Sequence, residues 1–565
     1  MSLAGVDNLN ESGGVQMADA SFDAVIVGGG TKSMATAIYL AKYAGMSVGV
    51  FEERRELCHG LTSEQGCVPG FVADYHASLI TSYNWEPIWD DFPDFEEKGG
   101  KVVQGVGNMG AINVENQSCW VRYSYKEDPT QERTAKGLAK FATERDAETY
   151  LKMWELFKPG SDLVMAQLQD MFSPPPPPDE PTPVEKWIKN YLSQPDCLID
   201  PTWMSLPGFN ALERLWESPA LRYMWARLFV FAGVFVDLAP GIGIFLFPFF
   251  ISRETGSVEG GTHNVAHAYQ RILYENGGKW FPFSKVDKII IENGKAKGVQ
   301  LADGSRIEAK KLVVSGVNVK QLCFELLGKD YVSPKILRKL DTLVSNIKGL
   351  AWYTWFLHEL PKYKAADMDP NIINSSMVTL GKSDTRSWWD AMAYRRMGKN
   401  PPVDGKLLAI HHSAYDKTRS PEGKHVVLTD FDIVTNTFLK EREWLDFKKT
   451  HAKEALADWQ KYAPNMTWDN VIGFAPQTPY DAATRGRNMW PDGNAGPFDL
   501  YEGQYGRFGP IVELSRYKVP GIANLYATGG WKATTSSCQA GYACYKVIAE
   551  DFDVRKPWQE KGRPY

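Results

Sequence analysis

Residues 23 to 52 constrain this chain more than any other stretch. They run Asp-Ala-Val-Ile-Val-Gly-Gly-Gly-Thr-Lys-Ser, then a helical pattern, then Ser-Val-Gly-Val-Phe-Glu. The order is strand, glycine turn, helix, strand and acidic residue, which is what a dinucleotide-binding βαβ unit requires. Gly28 allows the sharp turn out of a strand over 24–27. Gly30, lacking a Cβ, lets the backbone approach a diphosphate where a helix opens at Thr31, because unpaired N–H groups and the helix dipole favour anions there. Glu52 ends the second strand, where a carboxylate accepts hydrogen bonds from two ribose hydroxyls. Ser33 stands where the third glycine of the motif is usual, and it is small enough for helix to pack on strand. These residues predict a bound adenine dinucleotide.

The remaining composition narrows the function classes. At 565 residues the chain exceeds one hydrophobic core, so two or three domains are expected. A net charge of -5 leaves no basic footprint for nucleic acid. Aromatic residues make up 13% of the chain, which suits a large apolar binding surface. The seven cysteines show no CxxC spacing and read as reduced cytosolic thiols rather than a metal site. Residues 1–20 are polar and glycine-rich and read as a disordered lead-in.

Two further blocks carry organised patterns. Gly260-Gly261-Thr262-His263 opens a helical pattern that ends at Gly277-Gly278; short strands follow at 286–291, 299–301 and 311–315, separated by Glu292-Asn293-Gly294 and Ala302-Asp303-Gly304. The Asn-Gly and Asp-Gly pairs are hairpin signals. A last short strand within 522–530 ends in Gly529-Gly530 and precedes a helix over 539–551. Five consecutive prolines, 174–178, mark 173–183 as a stiff exposed loop or linker.

Together the three blocks resemble the phytoene desaturase-like FAD-dependent oxidoreductases, a group with carotenoid desaturases and isomerases, retinol saturase and terpene dehydrogenases. The matching residues are Val27-Gly28-Gly29-Gly30 through Glu52-Glu53-Arg54, with Pro69-Gly70-Phe71 and Asp74; Gly260-Gly261 with Val286, Ala302-Asp303-Gly304 and Val313-Val314-Ser315; and Asn524-Leu525-Tyr526 to Gly529-Gly530. The resemblance implies an α/β fold, with a discontinuous Rossmann-like FAD-binding domain of the glutathione-reductase/amine-oxidase type. That domain would be formed by 21–100, 255–330 and 496–565. A mixed-sheet and helical substrate domain, 101–254 and 331–495, would be inserted into it. It also implies a set of cofactor-binding residues: Gly28, Gly30, Thr31, Ser33, Glu52, Glu53, Arg54, Gly60, Val286, Gly529, Gly530 and Gln539. Val286 would pair its backbone with the adenine. Two segments depart from the family pattern: Cys58-His59-Gly60 replaces a Gly-Gly pair, and Trp531 to Ser537 replaces a glycine-rich run. A cyclic terpene or alicyclic substrate fits these changes at least as well as an acyclic carotenoid.

Candidates for chemistry are few. His59 and His76 fall in the segment expected beside the flavin, where each is either a proton acceptor or a hydrogen-bonded structural histidine. Lys532, with Trp531, follows the last glycines; a cation there offsets charge gained by reduced flavin, as does the N-terminus of the final helix. His263 and His267 are spaced i, i+4 but lack a third ligand, so no metal is expected. The apolar stretch 228–251, containing Phe247, is broken by Asp237, Pro240 and Pro248. It reads as a substrate-tunnel wall ahead of a membrane-dipping surface, and a true span ranks last. Trp352 and Trp355 alternate as in a strand; such aromatics more often form plain core, and the alternative is the floor of the substrate cavity.

The expected activity is hydride transfer between a C–H bond of an apolar isoprenoid or alicyclic substrate and flavin N5, with a quinone or membrane acceptor taking the electrons. A cytoplasmic location, with peripheral contact on the inner face of a membrane, accompanies it. An amine or alcohol oxidase on the same fold, and a non-catalytic lipid-binding protein like the Rab GDP-dissociation inhibitors, stand as alternatives.

Overall fold

The computed structural model describes residues 18–81, 86–231, 237, 254–345, 348–486, 492–493, 498, 504, 509, 511–529 and 538–565. The apolar run Ala-Val-Ile-Val closes strand β1 (Ala20–Val27), and its last four side chains are buried because both faces of the strand are covered. Helix α1 (Thr31–Lys42) follows, with ten of twelve residues buried, so it is packed on more than one side. Strand β2 (Val48–Phe51) returns parallel to β1, pairing Ala24 with Val48 and Val27 with Phe51.

These elements belong to a seven-stranded sheet ordered Lys279–Phe281, β2, β1, Arg306–Ser315, Lys295–Leu301, Val286–Glu292, with Leu525–Ala527 also pairing Arg306–Ser315. The Val286–Glu292 and Lys295–Leu301 strands form the antiparallel hairpin, and Asn293 and Gly294 take positive φ in its turn (50° and 71°). The long Arg306–Ser315 strand has two partners on one side. Its first part pairs with the hairpin, and Val313 to Ser315 pair in parallel with Leu525 to Ala527. Val27, Phe51, Ser315 and Ala527 therefore all end at one edge of the sheet. In open α/β sheets ligands bind outside that edge.

A second seven-stranded sheet is ordered Val471–Gln477, Gly349–Leu357, His425–Ile433, Leu408–Ile410, Val378–Gly381, Gly107–Asn113, Ser118–Tyr123, antiparallel except between Val378–Gly381 and Gly107–Asn113. Its Gly349–Leu357 strand is buried throughout. Leu350 and Trp352 face the large core shared with the first sheet, whereas Ala351, Tyr353 and Trp355 belong to a separate core behind it. The Glu441–Gln460 helix covers that rear face, where His451 meets Tyr353 and Trp459 meets Trp355. Thr354 turns the other way and donates to the carbonyl of Asp74.

The proline run connects the Asp162–Phe172 and Pro183–Leu192 helices, which pack on each other; Pro175 is buried, and Thr182 caps the second helix with Glu185 in a capping box. It is thus a packed interhelical loop rather than a linker. The proline rings, being apolar, are partly covered by the helices they join. Of the apolar stretch 228–251, only its first four residues, at the end of the Pro219–Phe231 helix, and Asp237 lie among the described residues. No helix among the described residues is long and apolar enough to cross a membrane.

Candidate cofactor and active site

Gly28 leaves β1 with φ 83°, a conformation costly for any residue with a Cβ. A Cβ on Gly29 would come 2.3 Å from Leu57, so this position is closed by packing. A Cβ on Gly30 would meet nothing nearer than Ser33 Oγ at 3.9 Å, which leaves an open face toward the cleft. Gly30 is also the N-cap of α1 and carries no capping side chain, so the first amides of the helix remain available to a ligand.

Ser33 fills the third-glycine position by turning its hydroxyl inward, donating to the carbonyls of Gly28 (2.6 Å) and Gly30 (2.9 Å). The space it takes is returned by Gly316, where a Cβ would lie 2.5 Å from Ser33 Oγ. On the far side of α1, Gly541 of the terminal helix (Gln539–Asp551) approaches so closely that a Cβ would lie 1.9 Å from the Lys32 carbonyl. Thr36 Oγ1 donates to the Gly541 carbonyl there at 2.9 Å.

The cleft encloses about 1190 Å³ of empty space, part of it open to solvent. Its lining brings together Gly28, Gly30, Thr31, Ser33, Glu52, Glu53, Arg54, His59, Gly60, Val286 and Gly529. Glu52 accepts from the backbone N–H of Gly29 (2.7 Å) at one oxygen and of Arg54 (2.9 Å) at the other. Burial raises its carboxyl above the ordinary value, and those two hydrogen bonds oppose the rise. Each oxygen keeps a further lone pair for a ribose hydroxyl. Gly529 can have no side chain, since a Cβ would fall 1.9 Å from the Val317 carbonyl.

Several lining residues escaped the sequence reading: Gly316, Asn318 and Gln321 after the Arg306–Ser315 strand, Lys285 beside Val286, and Arg485. The first three follow the strand parallel to β1, and that topology was the available signal. Arg485 comes from the segment after the second sheet. It donates to Glu64 Oε1 (2.7 Å) and lies 5.0 Å from the Tyr75 ring, while its carbonyl accepts from Arg54.

Beyond Gly60 the histidines line up. His59 Nδ1 lies 2.9 Å from Glu56 Oε1; the His59 and His76 rings are 5.3 Å apart, and the His76 and Trp352 rings 5.9 Å. Burial lowers the pKa of both histidines, strongly for His76. Both are neutral near pH 7. Trp352 thus meets the histidine segment, but Trp355 does not. Three residues along a strand reverse the side-chain direction. Trp355 is buried on the rear face, donating to Thr429 Oγ1 (2.9 Å) and stacking on Phe474. Gln539 is buried in the first turn of the terminal helix. Phe247, Gly530, Trp531 and Lys532 lie outside the described residues.

The His263 and His267 rings sit 5.0 Å apart, and His263 Nδ1 contacts the Leu61 carbonyl. The segment holding His76 is fixed to the second sheet by buried polar groups. Asp74 pairs with Arg419 (2.9 Å), which also pairs with Asp416 (2.9 Å) and donates to the Val258 carbonyl.

Residues 26–94 match the family model for NAD(P)-binding Rossmann-like domains. A limonene dehydrogenase polypeptide of Castellaniella defragrans is 22% identical over 95% of this chain and 96% of its own length. Hydroxyneurosporene desaturase of Cereibacter sphaeroides is 27% identical over 52% of this chain and 55% of its own. Among solved structures, putrescine oxidase with bound putrescine superposes with a TM-score of 0.56 at 14% identity, over 94% of this chain and 99% of that one; this likeness concerns the fold. The chain is thus similar to dehydrogenases and desaturases of the phytoene desaturase-like group, as its sequence motifs imply.

FAD is the cofactor of this oxidoreductase, and the residues present fit it. Gly30 leaves an uncapped, open helix N-terminus. Glu52 has spare acceptor capacity at the end of β2. Gln321 Oε1 in the cleft and Gln539 Nε2 in the terminal helix are buried with no hydrogen-bond partner among the described residues. Such groups are costly unless a ligand engages them.

Proposed function

We propose that this oxidoreductase withdraws a hydride from an activated C–H bond of an apolar isoprenoid or alicyclic compound. The observation that carries the reading is that His59, in the lining of the cleft, lies against His76 (rings 5.3 Å apart) and His76 against Trp352 (5.9 Å), whose side of the second sheet is apolar. Neutral, buried groups of this kind suit a hydrocarbon better than an ammonium substrate. The likeness to limonene dehydrogenase over nearly the whole chain supports it.

In this reading Glu52 holds the ribose, the Gly28–Gly30 bend and the α1 amides hold the diphosphate, and Val286 lies against the adenine. FAD supplies the hydride acceptor at N5. Trp352 and the sheet beneath it keep the reacting carbon dry and oriented, which is the protein's main contribution. His59 and His76 stand nearest the path of the departing proton. His59 is the better placed, since its Nδ1 is held by Glu56 while burial depresses His76 far more. A quinone-like acceptor takes the electrons, and the substrate enters from a membrane surface. The domain boundaries proposed with this reading are 21–100, 255–330 and 496–565 for FAD, and 101–254 and 331–495 for the substrate.

The test is anaerobic mixing of the flavin-loaded protein with a monocyclic monoterpene, an acyclic carotenoid and a diamine. Bleaching by the monoterpene supports the reading. Bleaching by the diamine alone overturns it in favour of an amine oxidase.

A further inference from the structure

The Arg306–Ser315 strand ends beside β1, and the chain then runs through Gly316, Val317 and Asn318 into one short turn of helix, Val319–Gln321. Asn318 caps that turn, its Oδ1 accepting from the Lys320 N–H at 2.8 Å. The helix then widens over Leu322–Leu326, where the Leu327 N–H reaches back five residues to the Leu322 carbonyl at 3.0 Å. Such π-type turns are rare and recur at functional sites. Leu322, Cys323 and Leu326 are buried, and the turn packs on the Val286–Glu292 strand. Gln321, at its start, is therefore carried by a fixed element, and both Gln321 and Leu326 line the cofactor cleft.

The position of Gln321 along the cleft follows from Glu52. The Ser284 N–H donates to the Glu52 backbone carbonyl at 2.8 Å, which sets Lys285 and Val286 next to the residue that holds the ribose. The Gln321–Leu326 segment packs on the strand that Val286 opens, so it closes the same end of the cleft. With the diphosphate at the Gly28–Gly30 bend and the ribose at Glu52, the base falls between Val286 and this segment. Leu326 offers the ring an apolar face. Gln321 is half-buried, and its Oε1 is buried with no hydrogen-bond partner among the described residues. Leaving such an acceptor unmatched is costly, and a donor on a ligand removes the cost.

A primary amide presents an acceptor and a donor side by side, and adenine presents its 6-amino group beside the N7 acceptor, so the two pair through both atoms. A 6-oxopurine puts an oxygen where the amine stands, and acceptor then meets acceptor. The other amide in the lining, Asn318, has its oxygen engaged by the helix cap. We propose that Gln321 reads the base of the cofactor, accepting from the adenine 6-amino group and donating to N7. The proposal rests on the FAD reading and goes beyond it by giving base choice to a side chain in addition to the main chain of Val286.

The experiment titrates full-length wild type and Gln321→Leu, each stripped of flavin, with FAD, ADP, inosine diphosphate and 7-deaza-ADP. Inosine diphosphate carries an oxygen in place of the 6-amino group, and 7-deaza-ADP lacks the N7 acceptor. Wild type is expected to bind ADP at least tenfold more tightly than inosine diphosphate and about three- to tenfold more tightly than 7-deaza-ADP. Gln321→Leu is expected to weaken FAD and ADP by about five- to tenfold and to bind ADP and 7-deaza-ADP alike. Its affinity for inosine diphosphate should stay at the wild-type level, which also shows that the altered turn still folds. Equal binding of ADP and 7-deaza-ADP by wild type overturns the proposal while leaving the FAD reading intact, and this arm needs no variant. Unchanged ADP affinity in Gln321→Leu overturns it too. A parallel loss of ADP and inosine diphosphate in Gln321→Leu also overturns it, because the side chain would then support the site rather than read the base. Wild type that binds neither FAD nor ADP overturns both readings.

Discussion

The guanidinium of Arg419 lies 2.9 Å from the carboxylate of Asp74, and both side chains are wholly buried. The same residue's carbonyl accepts from the Val72 N–H at 2.8 Å, so Arg419 clasps the strand leading to His76 from two directions. Asp74 in turn accepts from Ser63 Oγ (2.5 Å) and from Thr262, which ties the cofactor side to the second sheet.

Removing the cation leaves Asp74 and Asp416 buried together without their shared partner. Arg419→Met is expected to cost about 3–5 kcal/mol in urea unfolding, as loss of one member of a buried pair does. Arg419→Lys is expected to recover only part of this, since one ammonium cannot reproduce the guanidinium's separate contacts. A change below 1 kcal/mol for Arg419→Met would contradict the role described.

Ser33 and Gly316 are expected to behave as one unit. Gly316→Ala drives a methyl into the Ser33 hydroxyl and is expected to destabilise the protein by about 1–3 kcal/mol. Ser33→Gly costs about 1 kcal/mol alone, through helix propensity. Together they are expected to cost less than the sum of the single changes, and strict additivity in the double-mutant cycle would show that the two sites do not touch.

Acid is expected to unfold the protein well before its carboxylates titrate. Burial depresses His411 to about 3, His412 to about 4 and His451 to about 3. Their folded values lie below the unfolded value near 6.5, so the unfolded chain binds more protons in acid. The stability they provide is present above about pH 6.5 and is lost as pH falls. At pH 5 each costs about 2 kcal/mol. His451→Gln, which can keep the bond to Tyr353, is expected to flatten the stability profile between pH 6.5 and 5 by that share. A profile identical to wild type would be inconsistent with a buried neutral imidazole.

The two tryptophans of the Gly349–Leu357 strand should separate cleanly. Trp355→Ala is expected to lose about 3–5 kcal/mol of stability, through a cavity in the rear core. Its rate of flavin reduction by substrate should be near normal in whatever fraction folds. Trp352→Ala is expected to change that rate or the substrate's apparent affinity at least tenfold. Stopped-flow reduction beside thermal unfolding distinguishes the two, and equal effects on reduction would remove the distinction between the faces.

What could be read from the residues was mainly local. The glycine bend, α1, β2, the Asn293-Gly294 turn and the terminal helix follow from periodicity and backbone freedom, and the structure has each of them. The lost third glycine looked like simple tolerance of serine. Its compensation at Gly316 depends on which strand lies beside β1, and spacing along the chain does not carry that information. Arg485 and Arg419 were invisible for the same reason, since each reaches the site from the second sheet's connections. Trp355 lies in the plain core that such aromatics more often form, and strict alternation from Trp352 already assigned it to the opposite face. The proline run read as an exposed loop or a linker, because its composition says nothing about the helices that cover it.

The Arg306–Ser315 strand completes its pairing only with Leu525–Ala527, and the strands from Gly349–Leu357 to Val471–Gln477 lie between them in the chain. A ribosome must therefore have released that whole intervening segment before the sheet beneath the cofactor can be finished. The glycine bend emerges early and waits. Loading with flavin is expected to follow synthesis of Leu525–Ala527, and truncations that remove that strand should abolish it even though they spare every residue of the first βαβ unit.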